Sequence, residues 1–244
     1  VTTLSGFGIE EENPIVGVAG AILDYIGVTQ ASSDVLAHLQ PPSMQNAADF
    51  VALDATTIRS LEIEQTIRGN TGEGSLLWVM QRCRTAMGKR LLRRWLCEPL
   101  ANVRAIEQRQ NVVEVFVNDA TVRSSIQTSL DAVQDIARIV GRVATGRVTP
   151  RDIVALGTSL LGSDAIAKNT QGESLTGIRG ELQHLSTTLT PLAEMITTQC
   201  IANPPAHLRD GGLFADGIDA ALDEARSLQR DAGQWLSQYQ AQIV

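Results

Sequence analysis

Along most of the chain, hydrophobic residues recur at intervals of three and four, the spacing that places them on one face of an α-helix. The segment from Ala86 to Cys97 shows this most clearly, because its apolar and basic residues separate onto opposite halves of a helical wheel. The apolar half holds Met87, Leu91, Leu92, Trp95 and Leu96, and the basic half holds Lys89, Arg90, Arg93 and Arg94. Because Pro99 disfavours helical geometry at the residue before it, we expect this helix to end at Glu98.

The same spacing predicts a series of further helices, several of which begin at a recognisable N-cap residue. The predicted N-caps beyond Pro99 are Asn102, Asp119, Asp131 and Thr149. Other predicted helices cover residues 14–30, 56–67, 174–202 and 217–244. The last of these is a single long helix with one continuous apolar stripe.

Two short stretches favour extended structure instead. Residues 50–54 are apolar and brief, and Asp210-Gly211-Gly212 between short apolar pairs is typical of a hairpin. Residues 32–42 mix small and polar side chains and end in two prolines, which predicts a linker. The predicted fold class is mainly α: a multi-helix domain with a long C-terminal helix and a few short strands or a hairpin.

Composition narrows the classes of protein to which the chain can belong. Its 244 residues carry a net charge of −7, so the chain as a whole does not suit a general polyanion binder, and nucleic-acid contact would need a local basic patch. The three cysteines are odd in number and form no CxxC pair, which favours a reducing, cytoplasmic compartment. No apolar run approaches the ~20 residues of a membrane span, so we expect no membrane partner.

The patterns that carry enzyme chemistry are missing from the sequence. His38, His184 and His207 are scattered, with no carboxylate at metal-ligand spacing. Gly141 and Gly146 resemble half of a phosphate loop, but the Lys-Ser/Thr that would reach the phosphates does not follow. We therefore predict no catalytic, cofactor-binding or metal-binding residue in this chain, and no enzyme activity of its own.

The densest basic cluster lies in residues 74–100, and it is the candidate site. Its members are Arg82, Arg84, Lys89, Arg90, Arg93 and Arg94. They form either a structural joint, paired with carboxylates of neighbouring helices, or a face that meets phosphate. Arginine supplies five of the six charges and favours fixed bidentate pairs, and acidic partners are plentiful, so pairing within the protein is the favoured interpretation. Leu91, Trp95 and Leu96 are predicted to pack as core beneath it.

Several of these segments resemble, in the same order, the MutS family of DNA mismatch repair proteins. The segments are LDATTIRSLEI, TAMGKRLLRRWLCEPL, IEQRQNVVEVF, TPRDIVAL and NPPAHLRDGG. The resemblance implies that residues 1–40 are the C-terminal end of a connector domain with its linker. Residues 41–244 then form the core (lever) domain, cut before the clamp. Thr85, Gly88, Arg90–Leu96 and Pro99 match this family as structural positions.

The resemblance also implies what the parent protein does. MutS proteins are homodimers of the bacterial cytoplasm and nucleoid that clamp DNA, recognise mismatches, hydrolyse ATP with Mg²⁺ and recruit a MutL-type protein. The Phe-x-Glu mismatch wedge and the Walker A motif are not in this sequence, so neither function is assigned to its residues. The implied role is to join the DNA clamp to the ATPase domain, and Trp235 and Tyr239 are then expected to be exposed here. A free-standing helical adaptor and a basic-helix nucleic-acid-binding module remain alternatives.

Overall fold

The computed structural model describes residues 9–10, 12–29, 47–170 and 175–243, with side chains described as far as residue 232. In these ranges the chain is mainly α, which confirms the predicted fold class. The helices are α1 (Pro14–Thr29), α2 (Ala55–Ser60), α3 (Leu76–Met80), α4 (Ala86–Cys97), α5 (Val103–Asn118), α6 (Ala120–Asp131), α7 (Ile136–Ala144), α8 (Pro150–Asn169), α9 (Thr176–Gln199) and α10 (Ala220–Ile243). Single 3₁₀ turns occupy Ala47–Asp49 and Leu208–Asp210.

Most helices begin where a side chain satisfies a free backbone amide. Asn102 accepts from the amide of Ala105 at 3.2 Å, and Thr149 with Asp152 forms a reciprocal capping box at the start of α8. Asp119 caps α6 as predicted. The predicted cap at Asp131 is wrong, because α6 runs through that residue and α7 starts only after Asp135. The short turn between them, residues 131–135, is referred to below as the 131–135 turn.

The helix predicted for residues 56–67 is also wrong beyond Ser60. Glu62 takes a left-handed φ of 51°, which α-helical geometry does not allow. The turn that results brings the carbonyls of Glu62 and Ile63 to the amides of Leu76 and Leu77, at 3.0 and 2.9 Å. The apolar periodicity of the segment therefore serves this turn and its contact with α3, and Ile63 is buried there.

Residues 49–101 close on themselves and form what we call the N-terminal lobe. An antiparallel bridge joins Phe50 to Leu100. It is flanked by hydrogen bonds from the Val51 amide to the Pro99 carbonyl and from the Ala101 amide to the Asp49 carbonyl, both 2.8 Å. The strand predicted at residues 50–54 is reduced to this bridge.

A second bridge takes the place of the predicted hairpin. It pairs Cys200, just after α9, with Phe214, so the intervening loop is too long for a tight turn centred on Asp210-Gly211-Gly212. The two glycines instead take left-handed φ values of 69° and 71° within that loop. The apolar residues on the two sides of these glycines do not pair with each other. Leu213 and Phe214 lie instead in the segment that pairs with the chain after α9.

The core of the chain lies in the bundle of helices α5–α9, with α8 at its centre. Helix α8 packs against α6, α7 and α9, and α5 packs against α6. Ala193 and Ile196 of α9 are buried, and the side chain of Ile196 lies directly against Gly157 of α8. Ser159 of α8 is fully buried and accepts a hydrogen bond from the Gln134 amide at 2.9 Å. That bond fastens the 131–135 turn to the centre of the bundle.

The remaining predictions concern the ends of the chain. Helices α1 and α10 lie close to their predicted bounds, and α9 continues through Pro191. The predicted linker, the domain boundary at residues 40–41 and the side chains of Trp235 and Tyr239 lie outside the described residues. The domain division and the exposure of those two aromatic residues therefore stay predictions.

The close approach of α8 and α9 gives a test of this packing. A Cβ added at Gly157 would lie 2.7 Å from Cγ2 and 3.0 Å from Cβ of Ile196, so we expect Gly157→Ala to lower the free energy of unfolding by about 1–3 kcal/mol. Gly180→Ala in α9 is the control, because its Cβ meets nothing within 4 Å and should stabilise the helix by about 0.5–1 kcal/mol. Urea denaturation measures both. Equal effects of the two substitutions would contradict the close helix crossing.

Candidate functional site

Helix α4 carries four of the six predicted basic residues, and Arg82 and Arg84 lie just before its start. Thr85 caps the helix by accepting from the Gly88 amide at 3.0 Å. A Cβ at Gly88 would lie 3.1 Å from the Thr85 hydroxyl oxygen, so glycine leaves room for the cap. At the other end Glu98 takes a non-helical conformation before Pro99, as predicted. The arginines of α4 are thereby fixed in rotation relative to the neighbouring elements.

Arg90 makes the strongest contact of the cluster. Its two Nη atoms lie 2.6 and 2.8 Å from the two carboxylate oxygens of Asp135, which is the bidentate geometry that arginine favours. The same carboxylate caps α7 by accepting from the Arg138 amide at 3.3 Å. The Arg90 guanidinium holds the pKa of Asp135 below its ordinary value, against the opposing effect of burial. Asp135 thus serves the start of one helix and the side of another.

A second arginine reaches the other end of the same turn. Nη1 of Arg84 lies 3.6 Å from Oδ1 of Asp131, and both side chains are about half exposed. At that distance and exposure the pair is weaker than the contact of Arg90. The 131–135 turn therefore receives one arginine from the lobe at each end, while Val133 between them is buried.

Arg93 and Arg94 pair with carboxylates inside the N-terminal lobe. Arg93 contacts Glu64, and Arg94 contacts Glu98 of its own helix at 2.8 Å. Arg93 lowers the pKa of Glu64 despite some burial of that carboxyl. Burial, together with the neighbouring Glu64, raises the pKa of Cys97, so its thiol stays protonated at neutral pH. These groups line a cavity of about 410 Å³.

Arg82 and Lys89 differ from the other four basic residues. Arg82 donates to the carbonyl of Gln81 at 3.1 Å, and neither residue forms an ion pair with a carboxylate in the described ranges. Both side chains are exposed. Four of the six predicted site residues are thus brought to carboxylates and two face solvent.

The apolar side of α4 is less buried than predicted. Leu91 is 47% and Trp95 39% exposed, and Leu96 is half-buried, so the prediction that the first two are core is wrong for this chain. The reason is that α3 is the helix packed closely on α4 in the described region, and it is too short to cover this side. Trp95 is instead covered by Arg109 of α5, whose guanidinium carbon lies 3.9 Å from a ring centroid.

The partners of the cluster were not found from the sequence. The sequence predicts a cap at Asp131 and does not single out Asp135, Glu64 or Arg109. The available signal was local, since Asp135 directly precedes an apolar helical pattern and fits an N-cap. Its pairing with a residue 45 positions away is a tertiary contact that no spacing rule predicts.

The described residues show no other chemical centre. In these ranges no group of three or more His, Cys, Asp or Glu side chains is placed to hold a metal ion. Nor does any described helix combine the length and apolar character that a membrane crossing requires. The site is therefore defined by ion pairs that join structural elements.

The described residues form a helical bundle and a small lobe that is paired with it through arginine–carboxylate contacts. Comparison with known proteins gives the family. Residues 56–243 match the family described as MutS domain III. The chain belongs to the MutS family and contains this domain, as the sequence resemblance implied.

Individual relatives agree with this assignment. The chain is 36% identical over 239 residues to the DNA mismatch repair protein MutS of Synechococcus elongatus, covering 98% of the chain and 27% of that protein. It is 35% identical over 241 residues to that of Symbiobacterium thermophilum, and 32% over 237 residues to that of Alkaliphilus oremlandii. The coverage is 98% and 97% of the chain, and 27% of each of those proteins. The chain thus spans about a quarter of the length of the relatives it matches.

The double role of Asp135 predicts a pH dependence of stability. Because the folded pKa of Asp135 is depressed, its contribution is complete above its ordinary value of 3.8 and is lost as pH falls through the folded pKa. Asp135→Asn keeps a cap acceptor but removes the charge. We expect it to be less stable than wild type near pH 7, and the difference to shrink as pH falls below 3.8 and through the folded pKa.

Denaturant unfolding over that pH range measures the difference. Asp131→Asn is the control, with a smaller loss near neutral pH because its contact with Arg84 is longer and more exposed. Parallel curves for wild type and Asp135→Asn would show that the Arg90 pair contributes no pH-dependent stability.

Proposed function

We propose that this chain is the connecting region of a MutS-type DNA mismatch repair protein, joining its DNA clamp to its ATPase domain. In this proposal the chain performs no chemistry. ATP and Mg²⁺ bind elsewhere in the parent protein, which acts on DNA as a homodimer and recruits a MutL-type protein. The match of residues 56–243 to MutS domain III supports the proposal. The length of the helices gives it a physical basis, because long packed helices transmit displacements between distant sites.

The observation that carries the proposal is the length and close packing of the long helices. Helices α8, α9 and α10 have 20, 24 and 24 residues, and α8 and α9 are packed along one another around a close crossing. At ~1.5 Å per residue, α10 alone extends over about 36 Å. A helix of this length carries a displacement over a distance at which direct contact between two sites is impossible.

Ion pairs add rigidity where helices meet. Arg142 of α7 binds both carboxylate oxygens of Asp152 in α8 at 2.7 and 2.9 Å. Burial raises the pKa of Asp152, but hydrogen bonds from Arg142 and Thr149 outweigh it and leave that pKa lowered. The carboxylate is therefore charged at neutral pH and holds the start of α8 against α7. A connecting region benefits from such fixed angles between its helices.

Helix stiffness is open to direct test in the full-length protein. Gln229 and Arg230 are exposed in α10, and replacing both with glycine weakens the helix by about 1 kcal/mol per residue without disturbing a core. We expect mismatch binding and basal ATPase activity to stay near wild type. The DNA dependence of the ATPase should fall at least fivefold, the lower range of typical coupling between sites.

The matched control replaces the same two residues with alanine. That variant loses the same side chains but keeps the helix stiff, so its ATPase should respond to DNA as the wild type does. If the glycine and alanine variants respond alike, α10 does not carry the coupling.

A direct nucleic-acid-binding role predicts a different result for the basic face. Arg93 and Arg94 are already paired with Glu64 and Glu98, so we expect Arg93→Gln/Arg94→Gln to leave DNA affinity and its salt dependence unchanged. Fluorescence anisotropy with duplex DNA at several salt concentrations measures both. A loss of affinity together with a shallower salt slope would favour the nucleic-acid-binding alternative.

A further inference from the structure

The N-terminal lobe and the α5–α9 bundle are each packed internally, but they meet differently. Among the described helices, the closely packed pairs are α3 with α4 inside the lobe, and α5 with α6, α6 with α8, α7 with α8 and α8 with α9 inside the bundle. None of these pairs crosses from the lobe to the bundle. In the described ranges the two parts therefore meet without a closely packed pair of helices between them.

Three contacts between the lobe and the bundle in the described ranges involve charged groups. Two are the ion pairs of Arg84 with Asp131 and of Arg90 with Asp135. The third is the stacking of Arg109 on Trp95. Beside that stack lies an open cavity of about 370 Å³, lined by Trp95 and Leu100 of the lobe and by residues of α5. This groove is open to solvent, and apolar side chains of both parts, including Leu100 of the lobe and Ile106 of α5, line it.

The covalent path between the two parts is equally limited. The Phe50–Leu100 bridge pins both ends of the lobe at one place, and the chain then enters α5 through Ala101 and the cap residue Asn102. A lobe attached at one point can rotate as a unit without breaking its own hydrogen bonds. Its orientation on the bundle is set by the crossing contacts.

The two kinds of contact respond differently to salt. Arg84 and Arg90 are each about half exposed, so salt screens their pairs in part, since the Debye length falls from ~10 Å at 0.1 M to ~3 Å at 1 M salt. The α8–α9 crossing is apolar, with Ala193 and Ile196 buried, and is not screened in this way. Ionic conditions can thus change the seating of the lobe while the bundle stays folded.

We propose that the N-terminal lobe is an electrostatic latch: Arg84 and Arg90 seat it on the 131–135 turn, and loss of these two pairs releases it to rotate about Ala101–Asn102. The structure holds the seated state. The Gln134 amide of the same turn donates to the Ser159 hydroxyl at the centre of α8. A change in the position of the lobe on the turn is therefore transmitted to α8 through this hydrogen bond. The latch does not depend on the proposed coupling function, since it concerns contacts within this chain alone.

Spin-label distance measurement tests the latch in the whole chain. One label is placed at Thr56 in α2 and one at Glu181 in α9, both exposed, after Cys83, Cys97 and Cys200 are replaced with serine. At low salt we expect one narrow distance distribution. Arg84→Gln/Arg90→Gln should raise the ratio of released to seated molecules roughly tenfold, seen as a second, broader distribution.

The matched control is Arg93→Gln/Arg94→Gln. This variant also removes two positive charges from the region. Because Arg93 and Arg94 pair with Glu64 and Glu98 inside the lobe, the distance distribution should not change. Exchanging the charges, Arg84→Asp with Asp131→Arg, should restore part of the seated population relative to Arg84→Asp alone. Identical distributions in the latch and control variants would overturn the proposal.

A second measurement applies if the latch variant does not fold. The labelled chain with its arginines intact is examined between about 0.05 and about 1 M NaCl, with circular dichroism as a check that helix content is constant. The latch requires the released population to grow with salt at constant helix content. A distribution that does not move over this range would overturn it without any arginine substitution.

Discussion

The bidentate contact between Arg90 and Asp135 is the interaction on which the arrangement of this chain depends. Its carboxylate also caps α7, and the turn that carries it is fastened to α8 through the buried Ser159 hydroxyl. One aspartate thus relates α4 of the lobe to α7 and, through the turn, to α8. Removing its charge affects a helix start and an inter-element contact together, so the two effects are not separable energetically.

An acidic chain with a concentrated basic helix is consistent with this arrangement. With a net charge of −7, the chain has more carboxylates than basic side chains. Four of the six basic residues of the cluster form an ion pair with one of these carboxylates. Arginine suits the task because its planar fork holds a carboxylate at a fixed angle, where a lysine ammonium would allow rotation. The basic cluster then serves mainly to fix angles within the protein, and Arg82 and Lys89 are its solvent-facing remainder.

Much of the fold was predictable because it is local. Caps at Asn102, Asp119 and Thr149, the bounds of α4 and the long final helix follow from neighbouring residues. The cap at Asp135 differs from the prediction for a local reason, and the other differences are tertiary. Helix α2 ends early because Glu62 turns back onto α3, and the chain around Asp210 pairs with Cys200 instead of with itself. Trp95 does lie on the apolar side of α4, as its spacing predicts. Periodicity does not show whether a neighbouring helix is present to bury that side.

The short bridge between Phe50 and Leu100 has a mechanical consequence. A pulling force that enters the chain before Asp49 and leaves through Asn102 passes across two backbone hydrogen bonds of 2.8 Å and goes around the lobe. Helices α2–α4 therefore bear no tension until those bonds break. Under load, the roughly fifty residues of the lobe do not contribute to the extension of the chain. They contribute only after the Phe50–Leu100 bridge has broken.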